Sequence, residues 1–231
     1  TVTVNGSTAD TGTITGTVDE VTAALVTGAT LVVVDDAAVT ISGTDTTAAE
    51  LAAIDDATTG VIQATLVTGN SGSFSALTDD SSNNNLTINI TEADSYSTAA
   101  TVLSAIGGKT SGTVTVNGST ADTGTITGTV AEVTAALVTG ATLVVVDDAA
   151  VTLSDSGTVV ASLLSAIGGK TSGTVTGSSI STVTGTVDEV TAALVTGLTK
   201  VTVSSSAAVT ISGTDTTTAE LAAIDDATTG V

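Results

Sequence analysis

Residues 15–43 read TGTVDEVTAALVTGATLVVVDDAAVTISG, and their order decides the fold. Thr17, followed three residues later by Glu20, forms a capping box. In such a box the threonine hydroxyl holds a first-turn amide while the glutamate reaches back to the cap amide. Val18, Val21 and Leu25 then fall at i, i+3 and i+7, on one face of a helix. Gly28, after Thr27, is the stop signal. The apolar run 31–34 is too short for a helix and reads as a strand, and Asp35 and Asp36 turn the chain. Residues 39–41 alternate apolar side chains with Thr40, as a half-buried strand does, and Ser42 and Gly43 lead to the next helix. One unit is thus a short helix and two short strands.

The unit recurs. Residues 1–40 return at 113–152 with Ala131 in place of Asp19, and 37–61 return at 207–231 with Thr218 in place of Ala48. Residues 104–115 return unchanged at 165–176. Further capping boxes stand at Thr47/Glu50, Thr129/Glu132, Thr186/Glu189 and Thr217/Glu220. Glu20 and Glu50 are 30 residues apart, and Glu189 and Glu220 are 31. Weaker helical runs at 99–106 and 159–167 fit the same spacing, with a third near 75–77. A unit this small cannot bury its apolar face alone and must stack on its neighbours. The expected fold is a β-rich repeat solenoid, right-handed and parallel, with seven or eight coils of about 30 residues, each two short strands plus a short helix. One elongated body over 1–231 is expected, with an irregular coil and loop at 62–98, where Gln63, Phe74 and Tyr96 break the pattern. The sequence has no initiator Met and starts and stops in mid-pattern, so a segment of a longer chain is expected.

Composition narrows the function. There are 53 Thr, no His, Cys, Met, Pro or Trp, and one each of Phe and Tyr. Hydrophobic residues make up 41% and mean hydropathy is +0.51, which excludes a disordered chain. Without aromatics the core is built of small aliphatic side chains in thin layers. A net charge of −21 argues against nucleic acid and anionic membranes as partners. No apolar run approaches the ~20 residues of a membrane span. The absence of cysteine fits a secreted bacterial surface protein.

The phrases 15–25, TGTVDEVTAAL, and 47–55, TAAELAAID, resemble repeats of giant, acidic, Thr-rich surface proteins of bacteria, especially marine cyanobacteria. The resemblance covers most of the chain outside 62–98. It implies a secreted, cell-surface or extracellular-matrix role.

Catalysis is poorly supplied. With no His and no Cys the commonest bases and nucleophiles are missing, and only Lys109, Lys170 and Lys200 remain as basic groups, so no enzyme is expected. The candidate metal ligands are acidic pairs. Asp35 and Asp36 share one inter-strand turn with their repeats Asp147 and Asp148. Asp55 and Asp56 share a helix end with Asp225 and Asp226. Coils stacked in register would align such pairs into a column of oxygens suited to Ca²⁺, while their plain reading is solvated turns. The calcium nonapeptide Gly-Gly-x-Gly-x-Asp is absent. Thr11, Thr13, Thr15 and Thr17 alternate along a strand and would rank on a sheet face, as ice-binding surfaces do. The expected role is therefore structural: a rigid spacer or surface-layer element, stacking end to end on neighbouring copies or flanking repeats. The alternative is a calcium-dependent adhesin or ice-binding module.

Overall fold

The computed structural model describes residues 2–3, 12–28, 32–34, 36–74, 77, 84–92, 96–116, 124–139, 144–196, 201–214 and 216–228. Along the chain run β1 (Val2–Thr3), β2 (Thr13–Thr17), α1 (Val18–Thr22), β3 (Val32–Val33), β4 (Ala38–Ser42), α2 (Ala48–Asp55), β5 (Ile62–Thr65), α3 (Ser71–Phe74) and β6 (Asn85–Ile90). Next come β7 (Ser97–Ala99), α4 (Ala100–Gly107), β8 (Val114–Val116), β9 (Thr125–Gly128), α5 (Val130–Thr134), β10 (Val144–Val146), β11 (Ala150–Leu153) and β12 (Thr158–Val160). Last are α6 (Ala161–Gly168), β13 (Val175–Gly177), β14 (Thr182–Thr186), α7 (Val187–Thr191), β15 (Val201–Val203), β16 (Ala208–Ser212) and α8 (Thr218–Asp225). The chain gathers into two compact units, one of residues 1–91 and 105–116, the other of 92–104 and 117–231.

In the first unit, parallel strands stand in the order β8-β6-β5-β4-β2, and β1 pairs with β3. Ile14 lies beside Val39, Val39 beside Ile62, Ala64 beside Leu86 and Ile88 beside Val114. Alternation sets the faces: Leu86, Ile88 and Ile90 of β6 point inward and are buried, while Asn85 at its start is exposed. Phe74, the lone phenylalanine, is 2% exposed and fills this core together with Ile54, Leu66 and Leu77. Burying each such side chain contributes roughly 1.5–3 kcal/mol.

The second unit holds two parallel ladders, β15-β13-β11-β9-β7 and β12-β14-β16. Along the first, Ile126, Val151, Val175 and Val201 stand side by side, none more than 3% exposed. Their outward neighbours Thr127, Thr152, Thr176 and Thr202 form a second, polar rank. Along the other ladder Val159 pairs with Val183 and Val183 with Val209. Helices α5, α6, α7 and α8 pack one on the next.

Parallel strands alternating with short helices are what the repeats lead one to expect. The spacing of paired strands differs from the expected 30 residues. Ile126, Val151, Val175 and Val201 return after 25, 24 and 26 residues, and Val39 and Ile62 are 23 apart, so the repeat is nearer 25 than 30. The 30-residue spacing belongs to the capping boxes. α1 follows β2 directly, whereas residues 43–47 separate β4 from α2, so the helices are offset against the strands.

Other differences are local. The helix over 18–27 changes character: α1 passes into a π-helical turn over Ala23–Thr27, and the same change recurs at Ala135–Thr139 and Ala192–Thr196. Gly28 ends it in an extended conformation (φ −63°, ψ 146°), not the left-handed one of a glycine stop. Gly43, by contrast, turns the chain at φ 100°, where a side chain would be strained. Within 62–98, β5 and β6 lie in register within the ladder. The helix there is α3, upstream of the run near 75–77, and residues 75 and 76 lie outside the described residues.

Candidate functional site

One repeated polar construction joins the ends of α2, α4 and α6 to the preceding repeat. After α2, α4 and α6 the chain reads Thr58-Thr59-Gly60, Thr110-Ser111-Gly112 and Thr171-Ser172-Gly173, and each first threonine is buried. The Thr58 hydroxyl donates to the Ala37 carbonyl at 2.8 Å and accepts the Gly60 amide at 3.0 Å. The Thr171 hydroxyl donates to the Ala149 carbonyl at 2.6 Å and accepts the Gly173 amide at 2.9 Å. Thr110 Oγ1 accepts the amides of Leu86 at 2.7 Å and Gly112 at 2.8 Å, with the Asn84 carbonyl 3.0 Å away as acceptor. Each link reaches back to the preceding repeat, so the threonine satisfies backbone groups that the start of a strand would otherwise bury unpaired.

The glycines follow from the same closeness. A Cβ on Gly60 would overlap the Ala37 carbonyl, one on Gly112 the Leu86 carbonyl, and one on Gly173 the Asp148 carbonyl. Asn84 supplies the link where the threonine is missing. It is 1% exposed, its Oδ1 accepts the Ile62 amide at 2.6 Å, and its Nδ2 donates to Asp55 Oδ1 at 2.9 Å.

The five capping boxes form as read. At α2 the Thr47 amide donates to Glu50 Oε2 at 2.9 Å and the Glu50 amide to Thr47 Oγ1 at 3.2 Å. Hydrogen bonds from the Thr47 backbone and then its hydroxyl hold the Glu50 carboxyl below the usual carboxylate range. The same pair of bonds from Thr217, hydroxyl first, lowers Glu220. The first amide of α5 is held from the following repeat, by Asp155 Oδ2 at 2.7 Å from the Val130 nitrogen. Where the α-helices pass into π-turns, Thr27, Thr139 and Thr196 donate to the carbonyls of Thr22, Thr134 and Thr191, five residues back. The hydroxyls of Thr22, Thr134 and Thr191 are buried without a partner.

The acidic pairs stay at turns and helix ends. Asp36, Asp147, Asp56, Asp225 and Asp226 are exposed, Asp148 and Asp55 are half-buried, and Asp35 lies outside the described residues. Among the described residues no three acidic side chains gather into a group able to hold a metal ion. Asp55 instead faces a void of about 10 Å³ lined by Leu51, Ala52, Leu77, Asn84, Leu86 and Lys109, with room for one water at most. The Thr-[Thr/Ser]-Gly link went unread in the sequence, although its signal is plain: the triplet follows helices at 58–60, 110–112 and 171–173. Among the described residues no helix is long and apolar enough to cross a membrane. Comparison with family models, with curated proteins and with solved structures finds no match for this chain.

Proposed function

We propose that the chain is a structural repeat protein of the bacterial exterior, a right-handed coil stack that serves as a rigid spacer or matrix element. The observation that carries this reading is the Thr-[Thr/Ser]-Gly link, whose threonine hydroxyl ties the backbone of one repeat to that of the one before. Stacked coils give length and stiffness. The acidic turns give hydration, and a charge of −21 keeps such a surface soluble in a salty medium where repulsion is screened within ~10 Å. The polypeptide does this without metal, enzyme chemistry, nucleic acid or membrane insertion.

The test is thermal unfolding by circular dichroism with millimolar calcium and with excess chelator. A mixed strand-and-helix spectrum and an unchanged melting temperature are expected. A large rise with calcium contradicts the metal-independent spacer and points to a calcium-dependent adhesin, because a ligand that binds only the folded state stabilises it.

One observation favours a second reading, an ice-binding face. Thr127, Thr152, Thr176 and Thr202 form an outward rank, on strands ~4.8 Å apart, and none of the residues in these strands is charged. Thermal hysteresis would support that reading, and its absence removes it.

A further inference from the structure

We propose that Lys109, Asn84 and Asp55 form a self-modification site, at which the Lys109 side-chain nitrogen displaces ammonia from the Asn84 amide and joins the two residues by an isopeptide bond. The proposal goes beyond the mechanical reading above and stands on this one site.

The three residues come from separate parts of the first unit. Asp55 ends α2, Asn84 immediately precedes β6, and Lys109 lies in the turn after α4. All three line one void of about 10 Å³, whose walls include the buried Leu51, Leu77 and Leu86. Walls of this kind keep out the bulk water that would compete for the amide. The backbone fixes the pairing. The Asn84 carbonyl accepts the Thr110 hydroxyl at 3.0 Å and the Ser111 amide at 2.9 Å, and these are the two residues that follow Lys109. The half-buried Lys109 thus starts its flexible stem next to that clamp.

Asn84 is set up for acyl transfer. It is 1% exposed, and both ends of its amide are held. Oδ1 accepts the Ile62 amide at 2.6 Å, a fixed donor at the atom where negative charge gathers when Cγ is attacked. Nδ2 donates to Asp55 Oδ1 at 2.9 Å, so the carboxyl touches the nitrogen that must leave. Asp55 takes one proton from the Lys109 ammonium, and the Nζ lone pair forms a bond to Asn84 Cγ. Asp55 then gives its proton to Nδ2 and takes a second from Nζ. The Cγ–Nδ2 bond breaks, and ammonia leaves and carries the last proton away as ammonium. Nothing is oxidised or reduced. The new bond ties the turn after α4 to the start of β6, where Thr110 already ties it by hydrogen bonds.

Repeated sequence supplies a control. Residues 165–176 repeat 104–115 without change, so Lys170 stands where Lys109 does. There Ser172 donates to the Asp147 carbonyl as Ser111 does to that of Asn84, which puts Asp147 in the place of Asn84. Asp147 is exposed and offers a carboxylate in place of an amide. Lys170 is therefore expected to stay unmodified.

Mass spectrometry of the full chain reads the bond, and circular dichroism on the same samples reads the fold. Wild-type protein is expected to weigh less than its sequence by one ammonia. A lysine-specific protease acting on the denatured chain is expected to cut after Lys170 and Lys200 and not after Lys109. Ring closure at an asparagine also releases ammonia, so two variants decide its source. Lys109→Arg and Asp55→Asn, each with an unchanged spectrum, are expected to show the full sequence mass. Folded wild-type protein at full mass, cut after Lys109, overturns the site and leaves the coil stack standing, with Asn84 a cap for Ile62 alone. A deficit that persists in folded Lys109→Arg or folded Asp55→Asn also overturns it. A coil spectrum for the wild type overturns the coil-stack reading and the site together.

Discussion

The segments around α2 and α8 carry the same message twice and bury it differently. Both helices start from the same capping box, run eight residues, and hold a glutamate whose carboxyl is lowered by its threonine. Both keep the last isoleucine buried, Ile54 and Ile224. They part at Leu51, which is buried, and Leu221, which is 47% exposed: β4 has β5 beside it, while among the described residues β16 pairs with β14 alone. Local structure follows the residues, and burial follows the neighbour. In a repeat protein one sequence therefore has two energies.

Substitutions can break that comparison. The largest effect is expected at the leucines. Leu51→Ala should cost about 2–5 kcal/mol, as a large-to-small change in a core does. Leu221→Ala should stay within about 0.5 kcal/mol, as at a surface. Denaturant unfolding of the two variants checks this, and equal losses would mean that cover does not set the energy. Next comes Gly60→Ala. Its Cβ meets a backbone carbonyl that cannot rotate away, so a loss of about 1–3 kcal/mol or more is expected in the same assay. Thr58→Val keeps the shape but orphans the Ala37 carbonyl and the Gly60 amide, and about 1–3 kcal/mol should go, seen as a lower denaturant midpoint.

Two smaller effects sharpen the local half of the comparison. Thr47→Ala and Thr217→Ala should each cost about 1 kcal/mol and cost the same, since a cap does not depend on what lies across the sheet. Acid should also act alike on both boxes. The folded carboxyls of Glu50 and Glu220 lie below their unfolded value, so their contribution is complete above the ordinary glutamate range near ~4.3. It is lost as the pH falls through the depressed folded value. A carboxyl-detected NMR titration should place both glutamates below that range, and a normal value at either would remove its box.

Much of this was legible in advance. The Thr-x-x-Glu boxes, the buried face of Val18, Val21 and Leu25, and the strand around Val39 and Ile41 need only local rules, and they are found where the pattern puts them. The helices expected at 99–106 and 159–167 appear one or two residues later as α4 and α6. What local rules miss is contact between repeats. The 25-residue return was hidden because the boxes, its loudest marker, shift against the strands. Strands β5 and β6 were hidden because Gln63 and Asn85, which face outward, resemble loop residues. Asp55, one of the eight aspartates expected as candidate cation ligands, is bonded to Asn84, a residue 29 positions away that no local pattern connects to it.

The proposed coil stack is tested most directly by small-angle X-ray scattering of the monomeric chain. A compact globule of 231 residues has a radius of gyration of about 17 Å. The account predicts a value well above this, with a rod-like scattering profile that chelator does not change. A value near that of a globule, from a folded monomer, would contradict it.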